Sequence, residues 1–172
     1  MGLDIGSVTK ARWVREDSGS DDQKSNEWLV HPPHPNEYDR QDGLKPGVYE
    51  VEGYASFRAG SYSGYNDWRA QLCYAVHRVA PDTLWRNEAA WEGKPFVELI
   101  CFSDCEGVMG PKTCAKLAAD FEKCRDEVTA WARKQARHHR ALNVDVTYFL
   151  ERYELWAKAF RRAAREGFVD FH

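Results

Sequence analysis

No apolar run in this 172-residue chain approaches the ~18 residues that cross a bilayer, and no signal-peptide core stands at its start. The expected compartment is therefore the cytoplasm, with no membrane partner. The opening MGLDIG has Gly6 where an N-myristoylation start needs Ser or Thr, which argues against a lipid anchor. Charge of one sign is not in excess. A net charge of −3 and a pI near 6.1 give no general electrostatic case for nucleic acid. Basic residues gather late, in RKQARHHRALN (133–143) and KAFRRAAR (158–165), and read as solvated helix faces. Neither G-x-G-x-x-G nor a Walker pattern occurs, and no Ser–His–Asp or Cys–His arrangement stands out. The five cysteines, an odd set without a secretory signal, are expected as reduced thiols packed like small apolar residues. The nearest pairs, Cys101/Cys105 and His31/His34, lack the spacing of zinc ligands, so no metal and no cofactor is expected.

What is present is an ordinary globular balance of 43% hydrophobic and 30% charged residues, enough for one domain with a real core. Aromatics are unusually frequent, with seven Trp, and several stand in polar contexts where a ring can also stack on a ligand.

Periodicity divides the chain into strands and helices. LDIGSVTKARWVRE (3–16) supplies a strand. Residues 17–46 are polar and rich in Pro and Gly, a long loop or partly disordered insert broken by the apolar patch Trp28–Leu29–Val30. GVYEVEGYASFRAG (47–60) alternates as a strand, and a helix follows from about Gly64 to Val79, with Ser63 as its N-cap and Pro81 ending it. Residues 82–94 read as a connection. KPFVELICFSD (94–104) is the most strand-like stretch, its continuous apolar run suggesting burial on both faces. Pro111 opens a helix carrying Cys114, Leu117, Phe121, Val128 and Trp131, and a last helix spans roughly 145–166. Gly167 caps that helix, and FVDFH forms a short terminal strand. The expected fold is a single α+β domain with a small mixed sheet and three main helices.

Two polar motifs occupy equivalent positions, SYSGYN after one strand and SDCEGVMG after the next. If the strands are parallel neighbours, both loops emerge at one sheet edge, where open α/β sheets place ligands; an antiparallel arrangement is expected to separate them. In the first loop Ser61, Ser63 and a helix N-terminus suit an anion, Arg58 and Arg69 add charge, and Tyr62, Tyr65, Asn66 and Trp68 offer stacking and hydrogen bonds. In the second, Ser103, Asp104 and Glu106 can accept from ribose hydroxyls or base amino groups. Structural uses are open for the same residues: Ser63 as a cap, and Arg58 and Arg69 as partners of Asp104 and Glu106. Asp104 and Glu106 are also a candidate acid–base or metal pair, whereas Cys105 between them is a poor nucleophile. His172 can reach a site from the last position, and His77 reads as a partly exposed helical residue.

The blocks MGLDI, FRAGSYSGYNDWRAQL, PFVELICFSDCEGVMGPKTCAKLAADF and FVDFH resemble a family of small uncharacterised proteins of bacteriophages and bacteria. The resemblance brings no catalytic roles and singles out the two polar blocks. Anion cradle, aromatic wall and carboxylates together describe a nucleotide-like ligand, bound without catalysis and sequestered, as suits a phage counter-defence protein. The alternatives are a metal-assisted hydrolase of a phosphorylated or nucleotide-derived substrate, and an interaction module inhibiting a host protein. Homo-oligomerisation is left open.

Overall fold

Strand β1 (Leu3–Thr9) runs to Lys10, whose backbone is left-handed (φ 50°), and the chain turns into β2 (Arg12–Arg15). The expected strand 3–16 is thus two strands, and the same happens to 47–60. There β4 (Gly47–Glu50) and β5 (Gly53–Gly60) are separated by Val51 and Glu52. The two stretches pair along their length as one antiparallel ribbon bent at a shared corner, Thr9 facing Gly53 and Arg12 facing Glu50. The corner puts β1 and β5 in one sheet and β2 and β4 in another. The structure, a computed structural model, describes residues 2–19, 24–33, 40–138 and 144–172. Parts of the expected insert (20–23 and 34–39) and of the late basic segment (139–143) lie outside the described residues.

The larger sheet has the order β5-β1-β7-β6, with β6 at Gly107–Met109 and β7 at Val169–Phe171. The smaller has the order β2-β4-β3, where β3 (Glu27–Val30) is the apolar patch of the insert. Every described pairing is antiparallel, so two small antiparallel sheets stand where one mixed sheet was expected, within the α+β class. Strand β7 was legible, and its place is central, between β1 and β6.

Helices cover one face of the larger sheet. Helix α1 (Tyr62–His77) follows β5, and α6 (Val146–Ala163) lays Phe149, Tyr153, Trp156 and Phe160 inward. The N-cap of α1 is Ser61, not Ser63: its Oγ accepts from the Gly64 amide at 3.0 Å. Pro81 ends nothing but opens a short helix, α2 (Pro81–Trp85), and a 3₁₀ turn at Glu88–Trp91 follows, so 82–94 is not featureless. The helix beginning at Pro111 is divided at Cys124 into α4 (Pro111–Lys123) and α5 (Arg125–His138). No helix of the described residues is long and apolar enough to cross a membrane.

The expected strand 94–104 is instead turns around a short helix, α3 (Val97–Ile100). A continuous apolar run satisfies a buried helical turn as well as a buried strand. Phe96, fully buried with φ 61°, reverses the chain there, and its carbonyl accepts from the Ile100 amide at 2.8 Å. The Phe96 amide donates to Asp120 Oδ2 at 2.9 Å, which anchors the turn to α4.

At the end of α6 the left-handed residue is Glu166 (φ 57°), not Gly167. Gly167 serves a close approach: a Cβ there would collide with the Val8 carbonyl, so only glycine lets β7 enter beside β1. Trp156 sits at the centre of the helix-side core, stacked on Trp68 and Phe160 and edge-on to Phe57. The opposite face of the larger sheet meets the smaller sheet through Val8, Val108 and Phe168 against Val30, Tyr49 and Val51. That second cover is incomplete. The remainder of the face, carrying Glu106, Asp170 and His172, lines the clefts between the sheets.

Candidate functional site

The two polar motifs do meet, though not at a parallel sheet edge. Arg69, on α1 and only 5% exposed, points its guanidinium at the second loop. Its Nη1 donates to the Phe102 carbonyl at 2.5 Å and its Nη2 to Asn66 Oδ1, while Asn66 Nδ2 donates to Asp104 Oδ2 at 2.6 Å. The guanidinium also lies over the rings of Tyr65 (5.1 Å) and Trp85 (5.4 Å). Ser103 Oγ then accepts from the amides of Cys105 and Glu106, both at 3.3 Å, which fixes the next turn. The first motif is the buttress of the second.

The other first-motif residues are placed as follows. Arg58 pairs with Asp4 at 2.8 Å, not with Asp104 or Glu106. Ser61 caps α1, with Ser63 Oγ 3.1 Å from it, and Tyr62 packs at the margin of the core. Tyr65 and Trp68 are interior rings: Trp68 Nε1 donates to the Phe149 carbonyl at 3.2 Å, and burial pushes the Tyr65 phenol up to about 12. Asp104 is engaged with Asn66, whereas Glu106 lines a cleft elsewhere. Among the described residues no three His, Cys, Asp or Glu side chains are arranged to hold a metal ion. Burial raises the thiols of Cys73 and Cys101 to about 12 and 11, and His77 is half-buried, its Nε2 2.9 Å from the Pro95 carbonyl.

The cleft that Glu106 lines has a volume of about 780 Å³ and lies between the two sheets, a size that suits a small ligand. Leu29, Pro32, Phe102 and Val108 form apolar walls, and His31, Arg40, Gln41, Glu106, Asp170 and His172 are its main polar groups. A second cleft of about 650 Å³ adjoins it, sharing His31, Asp170 and His172 and adding Trp28 and Tyr54. Strand register brings the polar groups together. Gly107 faces Phe171 and Val108 faces Asp170, so Glu106, Asp170 and His172 project from one face of the sheet.

Asp170 is the most constrained of them. Its Oδ2 accepts from Trp28 Nε1 at 2.9 Å and stands 3.5 Å from His172 Nδ1. Gly6 faces Asp170 across β1, and a Cβ on Gly6 would come within 2.5 Å of the Trp28 ring, so the glycine makes room for the indole. The His172 backbone is held in both directions by Asp4, at 2.7 and 3.0 Å. On the opposite wall, Gly110 donates to the Arg40 carbonyl at 2.7 Å, and Asp42 accepts from the Thr113 amide at 2.7 Å, capping α4. Arg40, also in the cleft, is paired with Glu88.

Burial pushes the Asp170 carboxyl up, against the opposing pull of the Trp28 N–H and of the His172 and His31 imidazoles. An acid raised in the folded state holds a proton that the unfolded chain has already lost. Asp170 therefore costs stability progressively as pH rises from the ordinary carboxylate range through its raised value. The Asp170→Asn chain is expected to lack that component, gaining on the wild type over this window when the two melting curves are compared across pH.

Asp170 and Trp28 were not singled out from the sequence as site residues, His31 was weighed only with His34 as a zinc pair, and His172 was only noted. The available signal was FVDFH read as a strand, which puts Asp170 and His172 on one face; nothing local points from there to Trp28 or His31. Compared with protein-family models, with curated proteins and with solved structures, the chain matches none.

Proposed function

We propose that the chain binds a small nucleotide-like ligand in the inter-sheet cleft and sequesters it without turnover. The observation that carries this reading is Asp170: a largely buried carboxylate, fixed by Trp28 and His172, on the floor of a cleft with apolar walls. A concave, mostly apolar site with a few convergent polar groups and one perturbed acid is the usual form of a small-molecule site. The carboxylates that were a candidate acid–base or metal pair are employed differently, Asp104 in holding its loop and Glu106 at the cleft, which favours binding over metal-assisted hydrolysis. A phage setting, one of the two that the resemblance to small bacteriophage and bacterial proteins allows, would suit the sequestration of a nucleotide signal used in bacterial defence.

A thermal-shift panel of mono-, di- and cyclic nucleotides tests this reading. A ligand at ~100 times its dissociation constant adds about 2.7 kcal/mol, a rise of roughly 5–10 °C in a chain of this length. The shift is expected to be lost in Asp170→Ala, and the ligand to be recovered chemically unchanged. Recovery of a hydrolysed product would overturn the non-catalytic reading. No shift across the panel would overturn the ligand class.

A further inference from the structure

We infer that the cleft selects ligands bearing an exocyclic amine, which donates to Asp170 Oδ1, so that adenine, cytosine and guanine derivatives are preferred over those of uracil and hypoxanthine. The inference rests on the binding reading above and names the chemistry of the same site.

The polar floor presents acceptors. Asp170 Oδ2 is occupied by Trp28 Nε1 and faced by His172 Nδ1, whereas Oδ1 takes no hydrogen bond from any described residue. Asp170 keeps some exposure, its side chain 18% accessible, and it lines both clefts. Glu106 adds a second carboxylate. Of the cationic groups, Arg40 is committed to Glu88, and His31 stands on the loop beyond β3.

The floor is also rigid. Asp170 lies on a central strand, and the indole that holds it is seated over Gly6. A fixed acceptor discriminates better than a mobile one, because it cannot turn away from a mismatched group. Amino groups on adenine, cytosine and guanine are donors, whereas the corresponding oxo group of uracil is an acceptor that would face the carboxylate oxygen unpaired.

Matched nucleosides isolate this contact, titrated calorimetrically into the full chain at neutral pH: adenosine against inosine, cytidine against uridine, and guanosine against inosine. Hydrogen bonds to a charged group lead to an expected preference of at least about tenfold for the amine-bearing member of each pair. The preference is expected to fall to about one in Asp170→Asn, whose amide replaces an acceptor by a donor. Equal affinities within the pairs, or a preference that persists in Asp170→Asn, would overturn the inference while leaving nucleoside binding intact. Failure of every nucleoside and nucleotide to bind would overturn the binding reading, and this inference with it.

Discussion

Trp156→Ala is expected to lower stability by about 4 kcal/mol and the melting temperature by roughly 10–15 °C, the largest effect of any single substitution considered. Trp156 has no exposed surface and joins the helix layer to the larger sheet: it stacks on Trp68 at 5.7 Å and Phe160 at 5.7 Å, meets Tyr65 at 5.5 Å, and contacts Phe57 and Phe171 from the sheet. Removing an indole from such a site forfeits its transfer free energy and leaves a cavity that rigid neighbours on four elements cannot fill. Chemical denaturation with intact slope and a lowered midpoint checks this. A loss under 1 kcal/mol would mean that the helices do not depend on this aromatic stack.

Arg69→Met is the second large effect, about 3 kcal/mol, and it arises from polarity rather than volume. Methionine keeps most of the aliphatic stem but leaves the Phe102 carbonyl and the Asn66 amide oxygen without their donor, each next to or within the interior. A buried acceptor left unpaired costs about 1–3 kcal/mol, so two of them outweigh any gain from burying an apolar side chain. Arg58→Ala makes the contrast: its partner is Asp4 at the surface, both side chains are well exposed, and the expected change is within about 0.5 kcal/mol. Hydrogen exchange in Arg69→Met should accelerate first at residues 102–106, the loop that the guanidinium holds. If Arg58→Ala proved the more damaging of the two, the buttress role of Arg69 would be wrong.

These effects answer what the density of polar and aromatic groups in FRAGSYSGYNDWR is for. Its Tyr65 and Trp68 are core, its Ser61 caps the start of α1, and its Asn66 and Arg69 reach across to the second loop. Local periodicity made α1, α6 and the strands of the bent ribbon legible, because one buried face leaves a 3.6- or 2-residue signature. The ribbon's corner was not legible, since alternation continues through residues 47–60 while the chain changes sheets at Val51 and Glu52. Nor was the turn at Phe96, where an apolar run carries no period and the deciding contact is Asp120, far along the chain.

Of the proposed cleft, the sequence singled out the second loop and Glu106 but not the floor. Asp170 becomes conspicuous only when β7 is inserted between β1 and β6 and Trp28 arrives from the smaller sheet. The partners come from far along the chain, Trp28 lying 142 residues from Asp170, and no short window of sequence contains them. The polar residues that looked most like a site serve largely to hold the loop that leads into it.

Nitrogen-15 NMR of the indole N–H groups during titration with adenosine is the most direct measurement of where a ligand sits. Binding on the Asp170 floor shifts the Trp28 Nε1–H resonance, whose hydrogen bond to Asp170 lies at the site, and leaves the Trp68 resonance, bonded inside the core, unmoved. Shifts confined to the backbone amides of Ser61, Tyr62 and Ser63, with Trp28 unchanged, would return the site to the first motif and contradict the cleft.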